Sequence, residues 1–326
     1  MITNALDSSR RTLAAWVWEE LAGIEFASFY DAFGGNCRVA QYFKRKGYQT
    51  FVSDILQSHY WRGVALIQNN QTILTPDHFR QLNDVSQAGQ HQDFSAWQDH
   101  YFTKEEVQAL SAWWHNIENS PEFQANPELK AIAYSAIYLT MGYWLQFNQY
   151  SLQSKPMPTA DALRHYIQVV NSWVADNQMP NMAYYTDASL LVEQLQEVGV
   201  LWINPPAMQG FRDTNRKTEL AECWTRRVPQ LNLSGLVPTD EPRLGQTFED
   251  EKTYLLALSN FLDRCDSSRV WAIAHSDRLG VSLEQIEELI ESKRTIWKKS
   301  SLELPYPIAG ETLVERESLL IAVAGD

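Results

Sequence analysis

Residues 26–55 read FASFYDAFGGNCRVAQYFKRKGYQTFVSDI, and the order of features in this stretch decides the fold. The run Phe26–Phe33 is apolar enough for a buried strand and ends on Gly34 and Gly35. Val39, Tyr42 and Phe43 then recur at helical spacing until Gly47 closes the segment, and Gln49–Ile55 has the composition of a second strand. Strand, glycine turn, helix and strand in succession open a doubly wound, mostly parallel α/β sheet.

Working outward, an amphipathic helix is expected over 9–23, with Leu13, Trp16, Val17 and Leu21 on one face. Residues from about 60 to 180 are rich in Gln, Asn and Trp, and Lys104–Ile117 and Leu129–Phe147 have helical periodicity with no good strand between them. Strand candidates resume at Met182–Thr186, Gly199–Asn204, Arg269–His275 and Ser318–Ala324. Helical patterns at Ala188–Val198 and Tyr254–Asp263 separate the first three, and Ser282–Lys293 leads into Thr295–Leu304. The expected organisation is a sheet domain over 1–58 and 182–326, with a helical insertion over 59–181.

Composition excludes several classes. The chain has 326 residues, 44% hydrophobic and 21% charged, which is ordinary for a globular protein. No run approaches the length of a membrane helix, and the N-terminus lacks the layout of a signal peptide. Cys37, Cys223 and Cys265 are odd in number and far apart, and the seven histidines form no ligand pair, so neither a disulfide framework nor a metal site is expected. These features together suggest a cytoplasmic protein. The net charge of −13 argues against a general affinity for nucleic acid. A local basic stripe could still come from Lys44-Arg45-Lys46, Arg212 with Arg216-Lys217, and Arg226-Arg227.

Two motifs carry chemistry. In Asp31-Ala32-Phe33-Gly34-Gly35, glycine lets the backbone approach a ligand, and Asp31 can accept from a cationic amino group. Asp54 ends the second strand about 20 residues beyond the turn, the placement that suits ribose hydroxyls, so an adenosine-containing cofactor is indicated. The strict G-x-G-x-x-G of dinucleotide sites is missing. The second motif, Asn204-Pro205-Pro206-Ala207, follows a strand candidate. An Asn oxygen beside a proline carbonyl makes an acceptor pair suited to an exocyclic amino group. Either motif alone would as readily be an ordinary turn or a rigid strand exit.

As a set they resemble the Dam-like family of adenine-specific DNA methyltransferases. In that family an aspartate–phenylalanine–glycine–glycine turn and an Asp-Pro-Pro-Tyr motif flank a helical target-recognition insertion. The likeness runs from DAFGGNCRVAQYFKRKGYQTFVSDIL through ALIQNNQTILTPDHF and HYFTKEEVQALSAWW to YYTDASLLVEQLQEVGVLWINPPA and RVWAIAHSD. It implies a Rossmann-like methyltransferase sheet, S-adenosylmethionine as cofactor and DNA as partner, with transfer to the amino group of a flipped adenine. It further implies Arg11, Asp31, Phe33 and Gly35 at the methionine end, Asp54 at the ribose, and Ile55 and Asp187 at the adenine. Asn204, Pro205 and Pro206 would hold the target amino group.

Two departures stand out. Cys37 occupies a glycine position of the turn, which would leave it less open, and Ala207 replaces the ring that stacks on the base. That contact is worth roughly 1–3 kcal/mol. Trp202, Met208 or Phe211 could supply a ring or thioether only along a different loop path. A catalytically inactive relative serving as a binding or interaction module, and a methyltransferase for another amino group in RNA or a small molecule, stay open as alternatives.

Overall fold

The computed structural model describes residues 13–86, 93–147, 155–195, 197–213, 216–308 and 311–324. Helix α1 (13–20) precedes strand β1 (Ser28–Asp31), helix α2 (Arg38–Arg45) and strand β2 (Gln49–Asp54). Helices α3 (Gln57–Gly63), α4 (Pro76–Leu82), α5 (Lys104–Glu118), α6 (Pro121–Ala125), α7 (Pro127–Trp144) and α8 (Thr159–Trp173) follow. The sheet resumes with β3 (Met182–Tyr185), α9 (Ala188–Val192) and β4 (Val200–Ile203), then α10 (Arg216–Thr225) and α11 (Glu251–Asp263). It is completed by β5 (Val270–Ser276), α12 (Leu283–Glu291), β6 (Thr295–Ile308) and β7 (Glu311–Val323).

The seven strands lie in the order β3-β2-β1-β4-β5-β7-β6. The first five are mutually parallel, and β7 runs antiparallel to both β5 and β6. This is the Rossmann-like, doubly wound sheet expected of the methyltransferase fold, with an antiparallel hairpin at one edge. Its central strands are near-continuous apolar runs because both faces are covered. Successive residues point to opposite sides. Tyr30, Leu201, Ile203, Trp271 and Ile273 pack with Leu258 and Phe261 of α11 and Ile286 of α12 on one face. Phe29, Val200, Trp202 and Ala272 pack with Trp16 and Val17 of α1 and Phe43 of α2 on the other.

The hairpin departs from the sequence reading, which found a strand only at 318–324. Strand β7 begins at Glu311, and its partner β6 occupies the segment left unassigned after α12. Only Glu317–Val323 pair with β5, so Glu303–Ile308 and Glu311–Arg316 form a ribbon beyond the last rung, Ser276–Glu317. Pro305 and Pro307 lie on β6, the outermost strand, where a missing N–H breaks no ladder bond to a further neighbour.

The chain divides into two compact units: 1–55, 177–213 and 233–326 form the first, and 56–176 with 214–232 form the second. The sequence reading placed 214–232 with the sheet. In the structure Glu222 explains its place in the helical unit. Its carboxylate is fully buried and accepts the N–H groups of Gln57 and Ser58, at 3.0 and 2.7 Å, so it caps α3 from α10. Trp224 donates to the Leu110 carbonyl at 3.0 Å, and the Tyr138 and Thr225 hydroxyls lie 2.6 Å apart. Trp113 and Trp144 are buried and stacked, as core packing requires. Among the described residues no helix is long and apolar enough to cross a membrane.

Candidate active site

The chain winds from β1 outward to β2 and β3, then resumes on the other side of β1 with β4. The crevice at such a reversal, beyond the carboxyl ends of the strands, is where open α/β sheets bind ligands. Asp31 lies opposite Val52 on β2 and Trp202 on β4, so Asp54 and Asn204 each stand two residues further along. Asp187 follows β3, whose Tyr185 pairs with Asp54. The order across the edge is therefore Asp187, Asp54, Asp31, Asn204. Three interstrand steps cover about 14 Å, the scale of an extended nucleoside joined to an amino acid.

The glycine turn is built by close packing. An added Cβ on Gly34 would lie 2.2 Å from Val52 Cγ2, and the Gly34 N–H donates to the Ser53 carbonyl at 2.9 Å. Gly35 has φ +48° and donates its N–H to Asp54 Oδ2 at 3.0 Å. Cys37 at φ 57° adopts the left-handed conformation natural to glycine, at a cost of about 1–2 kcal/mol. Its side chain is buried, with Sγ 3.9 Å from the Gly35 carbonyl. The backbone path of a glycine is thus kept at this position despite the substitution.

Asp31 is buried, and among the described residues its Oδ1 has no hydrogen-bond partner. Burial pushes its carboxyl up to about 7; the Asp54 charge adds to this, and the backbone N–H groups of Phe33 and Ala40 work against it. A buried carboxylate oxygen left unpaired fits a cationic ligand group, which would complete its coordination and favour its ionised form. Phe33 is half-buried against Phe261, with centroids 5.3 Å apart. Ile55 is half-buried directly after β2. Asp187 caps α9, accepting the Ser189 N–H at 2.7 Å, and its Oδ2 lies 3.7 Å from Arg243 Nη1. Arg11 lies outside the described residues.

After β4 the loop is pinned at successive backbone atoms. The Tyr254 hydroxyl donates to the Pro206 carbonyl at 3.0 Å, and Gly210 N–H donates to the Ala207 carbonyl at 2.7 Å. Met208 donates to the Leu279 carbonyl and accepts from Phe248 N–H, both at 2.9 Å. Of the two proline carbonyls, that of Pro206 is already occupied by Tyr254; Pro205 is buried, and the Asn204 side chain before it is exposed. Tyr254 is buried on α11, and burial holds its hydroxyl in the neutral, donating form. Tyr254→Phe leaves a carbonyl unsatisfied and is expected to destabilise the protein by about 1–2 kcal/mol in urea unfolding.

Of the three side chains that could stand in for the stacking ring, only Trp202 is fully buried. Trp202 is buried in the sheet, Met208 packs where a Cβ on Gly280 would come within 3.0 Å of its sulfur, and Phe211 lies beside Gly245. Tyr254 and Arg243 are the residues that sequence reasoning missed. Each meets the site across about 50 residues of chain, and no local pattern announces it.

No family model matches the chain. It is 33% identical over 111 residues to the type II methyltransferase M2.HphI of Haemophilus parahaemolyticus, which is 33% of this chain and 32% of that protein. The chain thus matches about a third of the length of that curated relative. Among solved structures it is similar to the delta-N METTL16 methyltransferase domain, with a TM-score of 0.34, 8% identity, and coverage of 97% of this chain and 82% of that one. It is also similar to the hMettl16 catalytic domain in complex with the MAT2A 3′UTR hairpin 1, with a TM-score of 0.36, 10% identity, and coverage of 98% and 70%.

Proposed function

We propose that the protein transfers a methyl group from S-adenosylmethionine to an exocyclic amino group, with adenine in DNA as the acceptor. The observation that carries this reading is the buried Oδ1 of Asp31 on β1, unpaired among the described residues and flanked by Asp54 on one side and by Asn204-Pro205 on the other. Asp31 would hold the cofactor's amino group, Gly35 would leave room for its backbone, and Asp54 would take the ribose. When bound, the cofactor supplies an electrophilic methyl group on a sulfonium centre. The Asn204 side-chain oxygen and the Pro205 carbonyl would accept the two N–H bonds of the acceptor and orient its nitrogen. Asn204 is neutral, so it positions the amino group; S-adenosylhomocysteine is the leaving group, and the proton shed by the methylated nitrogen would pass to solvent. The partial sequence match to a type II methyltransferase supports the same reading.

The basic segments are largely committed to contacts within their own units. Arg216 is paired with Glu219, Arg226 with Glu222 and Arg227 with Asp93, while Lys44 is buried and Lys46 lies over the Trp18 ring. Few cations are left to displace counterions. DNA affinity is therefore expected to fall with salt at a log–log slope shallower than about −3, measured by fluorescence anisotropy. A steeper slope would place a basic groove elsewhere in the chain.

A second reading, a relative that keeps the fold and binds without transferring, is favoured by Ala207 and by these paired cations. Incubation with labelled S-adenosylmethionine and unmethylated DNA, followed by nucleoside analysis, separates the two. Label in N6-methyladenine supports the enzyme. Label that appears only after Ala207→Tyr supports a lapsed one, and no label in either protein, despite cofactor binding, supports the binding module.

A further inference from the structure

Ser53, on β2, is 1% exposed and grips the glycine turn twice. Its carbonyl accepts the Gly34 N–H at 2.9 Å, and its hydroxyl donates to the Ala32 carbonyl at 3.0 Å. A serine has one hydroxyl proton, and here Ala32 receives it. The Tyr30 hydroxyl, 2.7 Å from Ser53 Oγ, is therefore the donor in that contact. Tyr30 is fully buried, and burial holds its hydroxyl in the protonated form that this direction requires. The chain from Tyr30 through Ser53 to Ala32 thus has one direction and ends on the backbone of the turn.

The Ala32 carbonyl shares its peptide unit with the Phe33 N–H. The peptide is trans, so its C=O and N–H point opposite ways in one plane. Holding the carbonyl toward Ser53 fixes the direction of the Phe33 N–H, and that N–H is a group that lowers the Asp31 carboxyl. Of the other groups that act on Asp31, Asp54 on β2 raises it and the Ala40 N–H on α2 lowers it. Tyr30 beside it is un-ionised, β4 carries no titratable side chain, and the cations of α2 are Arg38, Lys44 and Arg45.

We propose that Ser53 is a positioning residue of the cofactor turn, setting the Ala32–Phe33 peptide against the Asp31 carboxylate and so holding that carboxylate ready for a cationic amino group. The inference rests on the cofactor reading given above. Asp54 follows Ser53 directly on β2, so the same residue keeps the two carboxylates in register.

The test is calorimetric titration of wild type and Ser53→Ala with S-adenosylhomocysteine, which carries the same amino group, at pH 6.5 and pH 8.5. Losing the hydroxyl frees the peptide, weakens the support from the Phe33 N–H and moves the Asp31 carboxyl further up. The wild-type carboxyl stands at about 7, so the change bears on binding at pH 6.5 and little at pH 8.5. For a rise of about one pH unit, Ser53→Ala is expected to bind about eightfold more weakly at pH 6.5 and within about twofold of wild type at pH 8.5. The ligand's own titration is common to both proteins and cancels in the ratio. Tyr30→Phe, which keeps the bond from Ser53 to Ala32, is expected to show a smaller deficit with the same trend. Should Ser53→Ala not fold, Ser53→Cys preserves the volume with a weaker donor and is expected to lose about threefold at pH 6.5. A deficit that is the same at both pH values would mean general loosening, and unchanged affinity at both would mean no role. Either result overturns the inference and leaves the cofactor reading standing. If folded wild type binds the ligand at neither pH, the cofactor reading fails and the inference goes with it.

Discussion

Asp31→Asn is expected to make the free protein more stable at pH 8 and, at the same time, unable to hold its cofactor. The carboxyl is raised from 3.8 to about 7 in the folded state, first by burial. The folded protein therefore binds a proton at this group where the unfolded chain has released it. Stability from this group is fully present below pH 3.8, declines as pH rises toward 7, and is flat above that. Ionised Asp31 thus costs the free protein on the order of 4 kcal/mol above pH 7. Asn removes the charge, and its amide fills the place of the unpaired oxygen. After allowance for imperfect hydrogen bonding, a gain of about 2 kcal/mol remains, or roughly 4 °C in the melting temperature. The gap should close by pH 4, where Asp31 is protonated in wild type too. A structural aspartate would show the opposite sign, with Asn destabilising at pH 8. The same linkage makes cofactor affinity rise by several-fold between pH 6 and 7.5, because the cationic amino group favours the ionised carboxylate.

Asn204→Ala is expected to lower the rate of methyl transfer by a hundredfold or more while leaving cofactor affinity within about twofold. Asn204 is exposed at the end of β4, and among the described residues its side chain makes no hydrogen bond, so the change removes no structural contact. Its role in the proposal is confined to the acceptor. Single-turnover rates with labelled cofactor, set beside equilibrium cofactor binding, separate the two effects. A parallel loss of binding would move Asn204 into the cofactor site, and an unchanged rate would remove it from the mechanism.

The parallel part of the sheet was legible because its central strands, β1, β4 and β5, are buried on both faces. Expected Gln49–Ile55 is observed as Gln49–Asp54, Gly199–Asn204 as Val200–Ile203, and Arg269–His275 as Val270–Ser276. The hairpin was missed for a physical reason. Strand β6 carries Lys298, Lys299, Ser300, Ser301, Pro305 and Pro307, an edge-strand composition without the apolar run of a buried strand. The expected helix Ala188–Val198 shortens to Ala188–Val192, where a single turn is capped by Asp187.

Candidate site residues can be picked out in the sequence where local backbone punctuation marks them, as at Asp31 before the glycines and Asn204 before the prolines. Tyr254 and Arg243 cannot, because they meet the site only through tertiary contacts with Pro206 and Asp187. Cys37 shows the opposite limit: the substitution was visible, but the left-handed backbone that absorbs it was not.

The central claim is that the carboxyl edge around Asp31 holds S-adenosylmethionine, and calorimetric titration of the cofactor at pH 7.5 tests it most directly. Wild type is expected to bind in the micromolar range, Asn204→Ala to bind alike, and Asp31→Ala to give no detectable binding while remaining folded by circular dichroism. Absence of binding by the folded wild type, or equal binding by Asp31→Ala, would contradict the account.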